Sequence, residues 1–308
     1  MILVAGEALY DLVLQGESDA LAGHPGGGAF NTARTIGRLE QPVAYLGRVS
    51  TDRFGDRLAG LLAEDGVNLD TMVRTNDPTT LALVEVDDDG VARYRFYERG
   101  TSVPGLTAET ALATLPANVD MLHVGTLALL LEPIATALEA VVERLTGDAL
   151  IVVDPNIRPW VIDDPEAYRA RLRRVLAHSH VVKVSEEDLD WLEPGLPPVE
   201  AVRTLLDQGP TLGLLTRGPS GALVVTRTAE VSVPAPRAKV VDTIGAGDAF
   251  GGGFLAWWRE RDLTRDDLGT IDLAVEATAF ACLVAARTCS RPGASPPYRS
   301  ELPALSRG

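Results

Sequence analysis

The sequence predicts an α/β fold: a mostly parallel sheet flanked by helices, with a small antiparallel sheet beside it. Two observations carry this. First, short apolar runs alternate with helix-period segments along most of the chain. Strands apolar on both faces that alternate with helices argue for a parallel sheet covered on both sides. Second, one region breaks that rhythm. "LALVEVDDDGVARYRFYERG", Leu81 to Gly100, reads as two alternating strands joined at an Asp89-Gly90 turn, a hairpin rather than a strand-helix unit.

In order along the chain, "MILVAG" is a first strand. The segment from Leu9 to Gly27 is the partner expected for the hairpin, so the small sheet is drawn from about 9–27 and 79–100. "VAYLGRVS" is a further strand, and Thr107 to Leu115 reads as a helix. "MLHVGT", "ALIVVDPN", "VVKVS" and "LGLLTRG" are strands, with a helix over Pro165 to Ala177. These runs end in polar or glycine-bearing tips at Glu7, Gly47, Gly125, Asp154, Ser185 and Thr216. In open sheets of this kind ligands gather at the carboxyl ends of the strands, where a small sheet can act as a lid. No repeat or long linker interrupts the chain, so a single domain over 1–308 is expected, the residues outside the lid forming the main α/β lobe.

Composition narrows the function. At 308 residues and 46% hydrophobic the chain can bury a large core. A net charge of −15 repels nucleic acid and anionic membranes, leaving small molecules as the expected ligands. The two cysteines, Cys282 and Cys289, sit in an apolar helical segment and read as core thiols of a reducing, cytoplasmic compartment. The start lacks the basic residues of a signal peptide. The most apolar later run, Met121 to Val142, is interrupted by His123, Glu132 and Pro133, so it is not expected to span a bilayer.

The chemistry is concentrated in "DTIGAGDAF", Asp242 to Phe250. Phe250, Phe254 and Trp258 recur every four residues, so a helix beginning near Gly247 would turn one apolar face to the core. Its N-terminus offers unsatisfied N–H groups and a positive dipole end, and Gly245, Ala246 and Gly247 let an oxyanion approach the backbone. Asp248 falls in the first turn. A carboxylate there can merely complement the helix dipole, at about 0.3 to 1 kcal/mol. Beside an anion site it would repel the anion, so the task that fits is taking a proton from a nucleophile attacking a bound phosphate. The dinucleotide fingerprint fails because Phe250 occupies its third glycine slot, and no P-loop or protein-kinase signature exists.

With these residues in place, the chain closely resembles the PfkB, or ribokinase-like, family of carbohydrate kinases. "DTIGAGDAFGGGFL" matches that family's carboxyl-terminal signature, and "GGGAFNTARTIGRLEQPVAYLGRVSTDRFG", Gly26 to Gly55, its amino-terminal one. The resemblance implies a Rossmann-like sheet with ATP and a sugar at its carboxyl edge and the lid closing over the sugar. It implies Asp248 as the base, with Gly245, Ala246 and Gly247 as the anion hole. Asp11, Gly27, Gly28, Asn31 and Phe96 become sugar contacts. Thr216, Arg217, Gly218 and Gly221, with Lys183, become nucleotide contacts, although an ordinary hairpin loop explains the turn nearly as well. Asp242 and the Ile244 carbonyl, with carbonyls of Ala285 to Ala294, resemble the family's monovalent-cation (K+) site. The family's N-x-x-E element, which arranges Mg2+-bound water, is altered to "SEED", placing that role on Ser185 and Asp188. A homodimer through the lid is the expected assembly.

The acceptor is read from two places. "DPNIRPW" resembles the fructokinase and 2-keto-3-deoxygluconate kinase branch, where the arginine, here Arg158, lies near the substrate. A guanidinium suits a carboxylate or a phosphate equally. The lid strand ends "RFYERG", with Glu98 where that branch often has arginine, which disfavours a sugar acid. Fructose is therefore placed ahead of 2-keto-3-deoxygluconate, and ribose or a nucleoside after them. An inactive sugar or nucleotide sensor is the non-enzyme alternative, opposed by the intact "GAGD".

Overall fold

The computed structural model describes residues 1–14, 21–86 and 92–303. In chain order the elements are β1 (Ile2–Ala5), β2 (Leu9–Leu14), β3 (Leu21–Gly26), α1 (Gly28–Arg38), β4 (Val43–Leu46), β5 (Arg48–Ser50), α2 (Arg53–Glu64), β6 (Val73–Thr75), β7 (Leu81–Val86) and β8 (Ala92–Tyr97). There follow α3 (Ala108–Ala113), β9 (Met121–Gly125), α4 (Ile134–Leu145), β10 (Leu150–Asp154), α5 (Pro165–Ala177), β11 (Val181–Ser185), α6 (Glu186–Leu192), α7 (Pro198–Leu206) and β12 (Leu212–Thr216). The chain continues through β13 (Ala222–Val225), β14 (Glu230–Val233), α8 (Ala246–Glu260) and α9 (Ile271–Cys289).

Among the described residues the main sheet has eight strands in the order β14-β13-β12-β11-β10-β9-β1-β4. It is parallel from β4 to β12, and β13 and β14 add antiparallel at one edge. This is the expected fold class. Successive strand residues point to opposite faces, so each strand feeds two cores. Ile2, Val4, Met121 and Val152 pack toward α1, α8 and α9, whereas Leu3, Ala5, Leu122 and Val153 pack toward α4, α5 and α7. A second sheet, β3-β2-β7-β8, pairs β7 antiparallel with β8 from Leu81↔Tyr97 onward. The Asp89-Gly90 turn expected to join them lies outside the described residues. A small cluster of Leu9, Ala82 and Leu127, with Phe96 packed on it, ties this sheet to the main body.

Helix α8 is the centre of the molecule. Its apolar stripe, Phe250, Phe254 and Trp258, is buried, with Phe254 and Trp258 stacked 5.5 Å apart. The glycine run within it is a packing device. A Cβ at Gly252 would fall 2.7 Å from Thr35 of α1, and one at Gly253 would fall 3.1 Å from Val284 of α9, so two helices close directly onto α8. That contact fixes the height of the helix N-terminus above the strand ends.

Candidate active site

Gly245 caps α8 in the left-handed conformation, at φ 74°, and a Cβ there would lie 2.6 Å from Ala294 Cβ. Both conditions demand glycine. The ladder of α8 starts when Ala249 N–H reaches the Gly245 carbonyl at 2.8 Å. Of the amides before it, Ala246 N–H turns back to the Thr243 carbonyl at 3.2 Å, which leaves those of Gly247 and Asp248 at the helix end, where they and the dipole favour an anion.

Asp248, in the first turn, is 8% exposed, and Asn31 Nδ2 of α1 donates to its Oδ2 at 2.8 Å. Burial pushes its carboxyl up from 3.8 to about 6, against the opposing influence of the Asn31 hydrogen bond and Lys183. A carboxylate poised there is a better proton acceptor near neutrality than an ordinary aspartate. Asn31 Oδ1 is buried and, among the described residues, has no hydrogen-bond partner, so an acceptor's hydroxyl has a place to donate.

Asp11, at the mouth of β2, is also held at about 6. Burial raises it first, then the Asp248 charge, while Arg158 lowers it. These three charged groups, from β2, α8 and the loop after β10, thus share one electrostatic site, which Asn31 enters from α1. The Asp11 carboxylate occupies the space a side chain at Gly26 would need. Gly27, at φ 109°, brings the chain so close that a Cβ would fall 2.6 Å from the Glu7 carbonyl, and Gly28 then opens α1.

Lys183 is 4% exposed, ion-paired to Asp154 at 2.8 Å, and lies beneath the start of α8, its Nζ 2.9 Å from where a Cβ on Gly247 would sit. His123 lies one turn along, under Gly251, and burial lowers it to about 3, so it is neutral. Ser185 and Asp188 form a capping box on α6, and Asp188 also accepts from Ile157 N–H at 2.6 Å. Thr216 to Gly221 is a β-hairpin between β12 and β13 at the same edge of the sheet. Arg217 donates to Ser232 there, and Thr216 to the Val184 carbonyl.

Asp242 accepts from Ile244 N–H (3.0 Å) and from Gly293 N–H (2.8 Å), strapping the loop before α8 to the loop after α9. Among the described residues no group of three acids, histidines or cysteines is placed to hold a metal. Glu98 lines a cleft of about 870 Å³ between β8 and α5, shared with Arg95, Phe96, Glu132 and Arg171. Of the sugar contacts expected from the sequence, Phe96 lines this cleft with Glu98, whereas Asp11, Asn31, Arg158 and Asp248 do not.

The sequence did not single out Glu7, Thr126 or Asp154 as site residues. Glu7 was visible only as a polar tip on an apolar strand, which names no partner.

A glycine-capped helix that presents a buried carboxylate at the carboxyl edge of a parallel sheet, beside a second small sheet, is the arrangement of a kinase that phosphorylates a small hydroxyl acceptor. Residues 1–301 match the pfkB family carbohydrate kinase, and the chain belongs to that family. It is an ATP-dependent sugar kinase. It is 36% identical to a fructokinase of Rhizobium leguminosarum bv. trifolii over 88% of this chain and 84% of that one. It is 31% identical to fructokinase-1 of Zea mays over 99% and 96%. Among solved structures, the ATP-bound fructokinase of Xylella fastidiosa superposes with a TM-score of 0.86 at 31% identity, covering 95% of this chain and 93% of that one. The fructokinase of Vibrio cholerae with fructose, ADP and calcium ion gives 0.83 at 27%, covering 95% and 94%. Among the described residues no helix is long and apolar enough to cross a membrane.

Proposed function

We propose that this kinase transfers the γ-phosphoryl group of ATP to a hydroxyl of fructose. The observation that carries the proposal is the buried Asp248, hydrogen-bonded to Asn31 and sharing an electrostatic site with Asp11 and Arg158 at the N-terminus of α8. The relatives that are fructokinases point to the acceptor.

Asp11, Gly27, Gly28 and Asn31 hold the sugar hydroxyls, with Phe96 and Arg158 as further walls. Asp248 takes the proton from the attacking hydroxyl as the oxygen–phosphorus bond forms, and the amides of Gly245, Ala246 and Gly247 receive the charge growing on the phosphoryl oxygens. Thr216, Arg217, Gly218 and Gly221 hold the nucleotide, and Lys183 adds positive charge from below. Mg2+ on the polyphosphate supplies charge neutralisation when bound, with Ser185 and Asp188 arranging its water. Asp242 and the Ile244 carbonyl take K+, which stiffens the loop that sets the anion hole. The exposed Leu21 and Tyr97, on the two edge strands of the small sheet, support a homodimer through the lid. The cytoplasm is the compartment that supplies ATP to such an enzyme.

The test is ADP release measured with fructose, 2-keto-3-deoxygluconate and ribose. Fructose is expected to give the highest kcat/KM. A higher value for the sugar acid would reassign Arg158 to a carboxylate and overturn the proposed acceptor.

A further inference from the structure

Glu7 follows β1 and is 2% exposed, with no cation hydrogen-bonded to it among the described residues. Its carboxylate instead collects donors from two other parts of the chain. Gly28 N–H at the start of α1 donates to Oε1 at 2.8 Å. From the turn after β9, Thr126 Oγ1 lies 2.6 Å from both carboxylate oxygens, and Ala128 N–H donates at 3.1 Å. Helix α1 is capped by no side chain of its own, so the distant carboxylate does what a capping residue would do. The backbone of Glu7 takes part too, its carbonyl accepting from Phe30 N–H at 3.2 Å.

Thr126 is held in the left-handed region at φ 59°, a costly place for a β-branched residue, with its methyl group against Gly28. Such strain persists only where the surroundings over-determine it, and it gathers at functional sites. Beyond this clasp lie Gly27 and Gly28, then Asn31 one turn into α1, hydrogen-bonded to Asp248. On the other side lies Leu127, part of the cluster that seats Phe96 and the lid.

We propose that Glu7 is a positioning residue for phosphoryl transfer, clasping α1 to the turn after β9 and so setting where Asn31 holds Asp248 and where the glycines meet the sugar. This rests on the reading of α1 and Asp248 as the acceptor site. A buried carboxylate without a countercharge is a costly way to join two segments. Its three donors recover that cost only while both segments stay in register, so a small displacement of either is resisted.

The test compares the wild type with Glu7→Gln, Thr126→Val and the double variant, using whichever sugar of the panel is the best acceptor, so that an error about fructose leaves the comparison intact. Misplacement of reacting groups by about 1 Å costs roughly a hundredfold in rate. Glu7→Gln is therefore expected to lower kcat/KM for the sugar about tenfold to a hundredfold, while KM for ATP stays within about twofold. Thr126→Val should act in the same direction, more weakly, because the two amide donors remain. The double variant should be no worse than Glu7→Gln alone, since both changes open one clasp. Unchanged kinetics in a folded Glu7→Gln protein, an equal rise in KM for sugar and ATP, or fully additive losses would each overturn the proposal. If Glu7→Gln does not fold, Thr126→Val decides alone. A loss of sugar kcat/KM with unchanged KM for ATP supports the proposal, and wild-type constants refute it.

Discussion

Replacing Asp248 with Asn separates the base from every other role of that residue, and the structure sets the size of two opposite effects. The amide keeps an oxygen to accept the Asn31 Nδ2 hydrogen bond, now 2.8 Å long, so the geometry at the start of α8 is preserved. What is lost is the proton acceptor. General-base catalysis contributes about 10² to 10⁴ in rate, which is about 3 to 5 kcal/mol of barrier. Stability should move the other way. Burial holds the Asp248 carboxyl at about 6 instead of 3.8, and each unit corresponds to about 1.4 kcal/mol. The folded protein then binds this proton more tightly than the unfolded chain. The cost of ionisation is absent below the unfolded value and fully present above about pH 6. Asn carries no such cost, so the variant should be more stable than the wild type at pH 8 by up to about 3 kcal/mol, with the gain vanishing near pH 4. The assays are kcat by ADP release, thermal melting at both pH values, and ATP affinity. A folded, ATP-binding Asp248→Asn enzyme within about tenfold of the wild-type kcat would refute the assignment of the base. A helix-dipole role alone predicts the reverse pattern, a small loss of stability with kcat nearly intact.

Three further outcomes follow from the same site. The acid limb of the kcat/KM profile should lie near pH 6, because Asp248 must be ionised to accept a proton. Asp11→Asn should move that limb to lower pH, since the neighbouring negative charge no longer opposes ionisation; a limb that stays in place would show that the two carboxylates do not share a site. Activity should rise when potassium replaces tetramethylammonium, and Asp242→Ala should abolish that response, whereas an unchanged potassium response would remove Asp242 from a cation site. Gly245→Ala must place a side chain at φ 74° and 2.6 Å from Ala294. It should cost at least about 1 to 2 kcal/mol in melting experiments and lower kcat about tenfold or more by shifting the amides that face the phosphoryl group.

Much of the molecule was legible before any coordinate. The strand runs are apolar on both faces because helices cover both sides of the sheet, and that pattern is local. The stretch from Gly245 to Asp248 declared itself for a similar reason. An anion site made of backbone amides needs small residues at fixed positions, and those positions are adjacent in sequence. The four-residue spacing of Phe250, Phe254 and Trp258 marked the helix behind it, which runs from Ala246 to Glu260.

Other features were settled only when distant segments met. "VAYLGRVS", read as one strand, divides at Gly47 into β4 of the main sheet and β5, which pairs with β6, because three-residue strands are too short to show a period of their own. Gly252 and Gly253 read as part of a signature, but what requires them is the close approach of α1 and α9. The ion pair of the buried Lys183 with Asp154, 29 residues away, leaves no sign in either segment by itself. Glu7 meets donors 21 and 119 residues away, and nothing in its neighbourhood announces them. The sequence by itself determined the sheet, the helix that carries Asp248 and the kind of chemistry, because each is written in periodicity or in a contiguous loop. The tertiary structure alone decided how far each carboxylate is desolvated and which charges it faces, because burial and electrostatic coupling belong to the assembled site and not to any one segment.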